Sequence, residues 1–568
     1  MNSENAKKCV AACAALVLAG GTSAAWAAQE ITPADLGVVQ RNDPGAQLSQ
    51  AMEYLERERV AQQIEEDRKK QNAQVEANLP TPEQNATVQV TFTLAKVEMD
   101  ASAVLTETEL QELVAPYIGK TVSLSDLHDI VNAINALYSE KGYILCKAYL
   151  PPQRIHEGVV QIKLLEGKTG QVTVTGLRHT RREYVTSRVP LKPDTVANIS
   201  KLNKQLQRFN GTNDVQLRIV VHAGEKPGTT DYEIVAFEPK KNHNFTLYMD
   251  NNGYETSGRL REGLFYNMRS LFGIRDQLRL GYLRSQGTNV FTAGYSIPIS
   301  KMGTRLDIDY STNTTKIING DLQNQNIKGH AHAMGIALRH PTRVDQKHRD
   351  EIGIQYLDQQ SVTDWGPVCW TDDKRTTIVP YLSFTNYGDS YILYHKHSFP
   401  ITNWDGATFD GWVKRSGNYF SYQLNMLYEK KYQHGQMLSV RLNGQFADDK
   451  DRSSADRFYL GGANSVRGYE ESFIGGNKGL ALGLTYQMPI DKKKRWHAFA
   501  FLDYGWISDD IDLNTSSYSA YSTGLGVTAS LDSLYGSLTL GIPLRRSFEF
   551  TTKEVSGMRL DFLLSWTF

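Results

Sequence analysis

The sequence predicts a β-rich, membrane-embedded chain. It reads as an antiparallel transmembrane β-barrel of about sixteen strands, preceded by two small β-α-α-β-β units and a lone charged helix. Three observations carry this reading. From about residue 242 to 568, segments of about ten residues alternate apolar and polar side chains and are separated by polar turns. After the N-terminal stretch, no segment reaches the roughly 18 apolar residues of a transmembrane helix, so a chain that meets a membrane must do so as a closed barrel. The 45 Gly and 29 Tyr suit strands and turns better than a helical bundle.

The chain has 568 residues, with 62 Lys+Arg against 62 Asp+Glu. That balance argues against a nucleic-acid binder, which would carry a basic excess. The first residues read as an export signal. Lys7 and Lys8 form a positive region, Cys9 to Gly20 an apolar run too short to span a bilayer, and Ala25-Trp26-Ala27 a small-x-small cleavage site. The mature chain is expected to begin near Ala28, after a signal over residues 1–27. Of the 4 Cys, Cys9 and Cys13 lie in that signal. Cys146 and Cys369 are far apart and predicted to be unpaired, and no Cys-x-x-Cys motif is present.

Within an N-terminal segment over 28–71, residues 43 to 71 predict one helix. Asp43 suits the N-cap and Pro44 the first helical position. Leu48, Met52 and Leu55 form a narrow apolar stripe, and Glu53–Arg57 is one of several i,i+4 ion pairs on the rest of the surface. So little apolar face cannot dock a helix into a core. A solvated helix and a helix lying in a polar channel both fit these residues. Residues 72–87 contain Asn78-Leu79-Pro80-Thr81-Pro82 and read as a linker.

Two similar units follow, over 88–167 and 168–240, and form an internal repeat. In the first, Val88 to Leu94 alternates as a strand and Thr106 with Glu109 makes a capping box. Ser123 precedes a helix with Leu127, Ile130, Val131, Ile134, Leu137 and Tyr138 on one face. Strands are predicted at Ile144 to Leu150 and at Val159 to Leu165. The second unit repeats the order. Val172 and Val174 open it, helices follow near Arg182 to Arg188 and around Leu202, Leu206 and Phe209, and strands at Val215 to Val221 and Tyr232 to Phe237 close it.

The barrel is predicted over 241–568. Phe420, Tyr422, Leu424, Met426 and Tyr428 share one face, and Leu480, Leu482, Leu484, Tyr486 and Met488 another. At the C-terminus Met558, Leu560, Phe562, Leu564, Trp566 and Phe568 oppose Arg559, Asp561, Ser565 and Thr567. Apolar rows ending in aromatics fit a lipid-facing wall, and the polar rows fit a wet lumen.

One stretch does not fit a surface loop: Val466-Arg467-Gly468-Tyr469, within SVRGYEE. One hairpin later, period-2 alternation puts Leu502 and Tyr504 outside, and Phe499, Phe501, Asp503 and Gly505 on the lumen wall. A guanidinium suits a carboxylate in two-pronged contact, so Arg467 is paired with Asp503. Gly505 leaves room for a backbone to approach, and Phe501 offers an apolar contact. A loop arginine and a lumen aspartate that never meet is the alternative.

With these motifs in place the chain resembles the two-partner secretion transporters of the TpsB class, within the wider superfamily of barrel-assembly insertases. Val466-Arg467-Gly468-Tyr469 matches that family's lumen-loop signature, and Phe501-x-Asp503-x-Gly505 its wall motif. Asp250-Asn251-Asn252-Gly253, Thr256-x-Gly258-x-x-Arg261 and Leu271-Phe272-Gly273-x-x-Asp276 resemble the opening of its barrel. Lys141-Gly142-Tyr143 with Leu150-Pro151-x-Gln153 resembles its first POTRA unit. There are departures: Arg261 sits beyond the expected position, where Arg259 also offers itself, and Met268-Arg269-Ser270 stands where an Asn-Leu pair is expected.

The resemblance implies an outer-membrane location with both POTRA units in the periplasm. It implies export of one large partner protein carrying an N-terminal secretion domain, by a monomer and without cofactor or nucleotide. It also implies that the polar helix, with Leu48, Met52, Leu55 and Arg57, plugs the barrel at rest. A passive porin would leave the two POTRA units without work, and an insertase of other barrels lacks the helix. His330-x-His332 and His395-x-His397 have the residue type of metal ligands. His332 is in phase with Met334, Ile336 and Leu338, so it reads as a wall residue near the membrane edge, and no metal or catalytic site is expected.

Overall fold

The computed structural model describes residues 38–69, 75–77, 91–408, 411–448, 450–511, 514–550 and 554–568. The expected signal, and most of the expected linker, lie outside the described residues. The chain divides into two compact units, one built of residues up to Glu65 with Lys241–Ser300 and Thr304–Phe568, the other of Glu66–Lys240 with Lys301–Gly303.

The larger unit is a closed antiparallel barrel. Its ladder runs from His243–Asp250 to Arg559–Thr567, which pair with each other through Thr246–Asp250 and Leu563–Thr567. Among the described residues it has sixteen strands, the number predicted. One strand is broken in two: Tyr391–Ser398 and Ile401–Thr408 both lie between Val368–Tyr387 and Val413–Lys431. The break falls at Pro400, which has no N–H to give a ladder. Closure removes every sheet edge, which a bilayer requires because lipid cannot satisfy open backbone groups.

The period-2 pattern sorts the wall. Leu560, Leu564 and Trp566 are exposed on the outside, while Arg559 and Asp561, on either side of Leu560, are buried inside. On Lys478–Pro489, Leu482, Leu484, Tyr486 and Met488 face outward. His330 and His332 stand on the outer face. His395 and His397 meet each other, Nδ1 to Nε2 at 2.9 Å, and His397 meets the Tyr422 hydroxyl at 2.7 Å.

The smaller unit contains two β-α-α-β-β repeats. In the first, the capping box of Thr106 and Glu109 opens the helix Glu107–Val114, and Ser123 with Asp126 opens Leu124–Glu140. Leu127, Ile130, Ile134 and Tyr138 are buried against Leu94, Val160 and Ile162. Of the expected strand from Val88 to Leu94, residues 88–90 lie outside the described residues; Thr91–Thr93 pairs with Thr121–Ser123, and Lys96–Met99 runs parallel to Val159–Ile162. The second repeat comprises Lys168–Thr175, the helices Arg182–Thr186 and Ile199–Thr212, and the strands Gln216–Ala223 and Thr229–Phe237.

The linker expectation needs correction at one point. Val75–Ala77 is a strand, parallel to Ile219–Val221 at the edge of the second repeat's sheet. An open edge offers a row of unpaired N–H and C=O groups and accepts extended backbone whatever its side chains. The side chains of that segment therefore gave no strand signal.

Cys146 is buried among apolar side chains and, like Cys369, forms no disulfide. Burial pushes its thiol up to about 12, with the Glu166 carboxylate adding to the effect. The thiolate is the reactive form. In the folded chain at pH 8, a maleimide is expected to label Cys146 at least about a hundredfold more slowly than in urea. Mass spectrometry of the labelled peptide measures this, and equal rates would contradict the packing described.

Candidate functional site

The loop between Met437–Ala447 and Lys478–Pro489 folds into the barrel. It is stiffened by a short ladder, Phe458–Leu460 with Ile474–Gly476. Its tip brings Val466, Arg467, Gly468 and Tyr469 against the wall strand Trp496–Ile511.

Arg467 and Asp503 meet. Arg467 Nε donates to Asp503 Oδ2 at 2.8 Å and Nη2 to Oδ1 at 2.7 Å, and the Arg467 backbone N–H donates to Oδ2 at 2.9 Å. Nη2 also donates to Thr485 Oγ1 at 3.0 Å. The guanidinium carbon lies 3.7 Å from the Phe501 ring centroid, a cation–π contact. The Asp503 side chain is fully buried and that of Arg467 is 17% exposed. Charge-assisted hydrogen bonds of this kind contribute about 1.5–3 kcal/mol each, and the two-pronged geometry fixes the loop's angle on the wall.

The neighbours of Arg467 fix its register. Val466 is fully buried with Leu460, Ile474, Ala481, Ile507 and Ala520. Tyr469 is fully buried too, and its hydroxyl donates to the carbonyls of Arg545 (2.8 Å) and Tyr521 (3.1 Å). Gly468 has φ +92°, and a β-carbon there would come within 2.9 Å of the Gly541 backbone. Gly541 in turn would clash with Gly468 at 2.6 Å if it carried one. The backbone approach expected at Gly505 is therefore made at Gly541. Gly505 makes room for side chains: a β-carbon there would stand 2.7 Å from Leu460 and from Val466.

Residues 44–65 of the helix Pro44–Lys69 lie inside the barrel. Asp43 caps it, accepting from the Ala46 N–H at 3.0 Å, and also accepts from the Ser361 hydroxyl at 3.0 Å. Leu48 is buried against Val290, Ala331 and Ala333, with Met52 packed beside it. Small wall residues let the narrow stripe sit close. Leu55 and Tyr54 line a cavity of about 90 Å³ shared with Tyr248, Tyr254 and Arg261. Arg57 pairs with Glu53 at 2.5 Å and donates to the Asn464 carbonyl at 3.3 Å, on the inward-folded loop. Ser472 of that loop donates to Gln50 at 2.8 Å, and Lys396 of the wall pairs with Glu56 at 3.2 Å.

A second two-pronged pair was missed from the sequence. Arg261 holds Asp250 through Nε (2.8 Å) and Nη2 (2.7 Å), and Asp250 is wholly buried. Arg259, the alternative, pairs with Glu255 at 3.3 Å. The two residues face each other across the first hairpin, since Asp250 and Arg261 are register partners. That symmetry about the turn was the available signal. Asp276 accepts from the Phe272 N–H at 3.1 Å and from the Tyr295 hydroxyl at 2.8 Å, and so closes the next turn.

A sixteen-stranded barrel with POTRA-type repeats before it and a motif-bearing loop folded inside defines an outer-membrane protein transporter. The chain belongs to the haemolysin secretion/activation protein family (ShlB/FhaC/HecB), whose model matches residues 228–529, and residues 92–167 match the ShlB-type POTRA domain. These are two-partner secretion transporters, which export a large partner protein across the outer membrane with their POTRA domains in the periplasm. The chain is similar to the heme/hemopexin transporter protein HuxB of Haemophilus influenzae, 27% identical over 420 residues, covering 70% of this chain and 72% of that one. It is also similar to the outer membrane transporter CdiB of Escherichia coli, 23% identical over 549 residues, covering 90% and 89%. Its fold matches solved CdiB structures. For the Escherichia coli protein the TM-score is 0.65 at 19% identity, over 94% of this chain and 99% of that one. For the Acinetobacter baumannii protein it is 0.62 at 16% identity, over 92% and 98%.

Removing either partner of a buried pair leaves an uncompensated charge, so Arg467→Ala and Asp503→Ala are each expected to destabilise the barrel by about 3–5 kcal/mol. The double variant is expected to fall short of the sum by about 1.5–3 kcal/mol. Urea unfolding of the four proteins in detergent measures the coupling, and strict additivity would mean that the pair contributes nothing as a pair.

Proposed function

We propose that this chain exports one large partner protein, and that between exports it rests with the helix plugging its lumen and the loop locked to the wall. The supporting observation is that the lumen holds both residues 44–65 of the helix and the loop that carries Arg467. In this reading the POTRA repeats receive the unfolded cargo through its N-terminal secretion domain, by strand addition or in a helix–strand groove. The helix leaves the lumen, and the cargo passes between wall and loop. Folding outside the cell makes return unfavourable, so neither nucleotide nor cofactor takes part, and the chain acts as a monomeric transporter rather than an enzyme. Arg467 acts as a positioning residue: it holds the loop on the wall through Asp503 and touches no cargo.

With the gene for the large partner protein co-expressed, wild type is expected to release that protein outside the cell. Arg467→Ala at equal barrel abundance is expected to release about tenfold less, in line with the loss of a buried pair. Undiminished release would show that the contact is dispensable. Deleting residues 44–69 is expected to raise single-channel conductance in planar bilayers. Conductance that stays at the wild-type level would remove the plug from this account.

A further inference from the structure

The barrel's first strand follows the periplasmic POTRA repeats, so the turns at that end of the wall face the periplasm. Two of them are adjacent around the rim: residues 432–436, after Val413–Lys431, and residues 490–495, before Trp496–Ile511. They touch, since a β-carbon on Gly435 would lie 3.2 Å from Lys494 Nζ. Together they bring Lys430, Lys431, Lys492, Lys493, Lys494 and Arg495 to one arc. None of these six forms a salt bridge among the described residues. The carboxylate of Asp491 is committed to the turn itself, accepting from the backbone N–H groups of Arg495 (2.7 Å), Trp496 (2.8 Å) and Lys493 (3.2 Å). Other turns on this end are different: residues 270–276 expose Leu271 and Phe272, and residues 388–390 and 532–533 each carry an aspartate.

Exposed apolar and aromatic side chains, Tyr432, Met488, Ile490 and Trp496, frame the same arc. Amphipathic rings mark the membrane–water interface, and clustered Lys and Arg beside it attract anionic headgroups. We propose that this arc of the periplasmic rim is a docking surface for anionic phospholipids of the inner leaflet. Its occupant is the phosphodiester headgroup of a lipid such as phosphatidylglycerol. The arc ends the hairpin that carries Thr485 and Asp503, so the lipid steadies the part of the wall that receives Arg467.

The test uses the full-length chain reconstituted in vesicles of equal parts phosphatidylglycerol and phosphatidylethanolamine. The protein is extracted in mild detergent, and its retained lipids are counted by native mass spectrometry. Wild type is expected to enrich phosphatidylglycerol. Lys492→Gln, Lys493→Gln, Lys494→Gln and Arg495→Gln together are expected to lower that enrichment at least about fivefold. Lys492→Arg, Lys493→Arg and Lys494→Arg together are expected to keep it. Unchanged enrichment in the glutamine variant would overturn the proposal, as would loss of enrichment in the arginine variant, which would point to turn shape instead of charge. Unchanged enrichment with impaired export would assign the arc to the cargo and overturn it equally. Should the four glutamines prevent folding, Lys492→Gln with Lys493→Gln carries the same test with a smaller loss.

Discussion

The buried carboxylate of Asp503 sets the terms for the rest of the lumen. An ionised carboxylate removed from water is costly unless it is paired and fully hydrogen-bonded. The wall strand supplies no partner of its own, so the partner must come from a loop long enough to reach inside. Arg467 provides the two-pronged fork and its own backbone N–H, and Thr485 and the Phe501 ring hold the guanidinium in plane. Once that contact is fixed, the flanking residues are constrained in turn. Val466 must fit beside a wall glycine, residue 468 must have no β-carbon, and Tyr469 must find acceptors for a buried hydroxyl. The order of the motif follows from one charge pair and the wall it faces.

The helix obeys a different constraint. A helix meant for a core carries an apolar stripe wide enough to hold it there. This one buries Leu48 and packs Met52 against small wall residues. It meets the rest of the lumen through polar contacts, such as Asp43 with Ser361 and Glu56 with Lys396. Burying one leucine contributes about 1.5–3 kcal/mol, and hydrogen bonds to charged groups such as these about 1.5–3 kcal/mol each, far less than a wide apolar stripe would add. Such a helix is held in place without being committed to it, and its low amphipathicity is the sequence trace of that property.

Alternation made most of the barrel legible, because side-chain period and wall face are the same information read twice. Asp503 could be placed on the lumen wall for that reason, and Arg467 could be assigned to it because few other reasons bring an arginine, a glycine and a tyrosine together in a loop. What stayed hidden depends on backbone geometry. Val75–Ala77 became a strand through an open sheet edge, not through its own side chains. Gly541 lies far along the chain from Gly468, and only the fold shows that their backbones meet. The space at Gly505 is filled by two side chains, Leu460 and Val466, and not by backbone. Asp250 and Arg261 face each other across a hairpin whose turn had to be located before the pairing could be seen.

Helix and loop share the lumen, and the contacts between them are unequal to those that hold the loop to the wall. Arg57 donates to the Asn464 carbonyl and Ser472 to Gln50, and Arg41, just before the helix, donates to the Phe473 carbonyl at 3.1 Å. Two of these end on backbone carbonyls and the third on an amide, so water satisfies every loop atom left behind by a departing helix. The groups that clamp Arg467 come from the loop and the wall alone: Asp503, Thr485 and Phe501. Withdrawal of the helix therefore leaves the buried charge paired. Withdrawal of the loop tip strands Asp503, at a cost of several kcal/mol. The two occupants of the lumen thus differ in the free energy needed to move them, and that difference gives an order to the opening. In the proposed export cycle this order has the helix leave first, into water that replaces its contacts one by one, while the loop stays fixed to the wall.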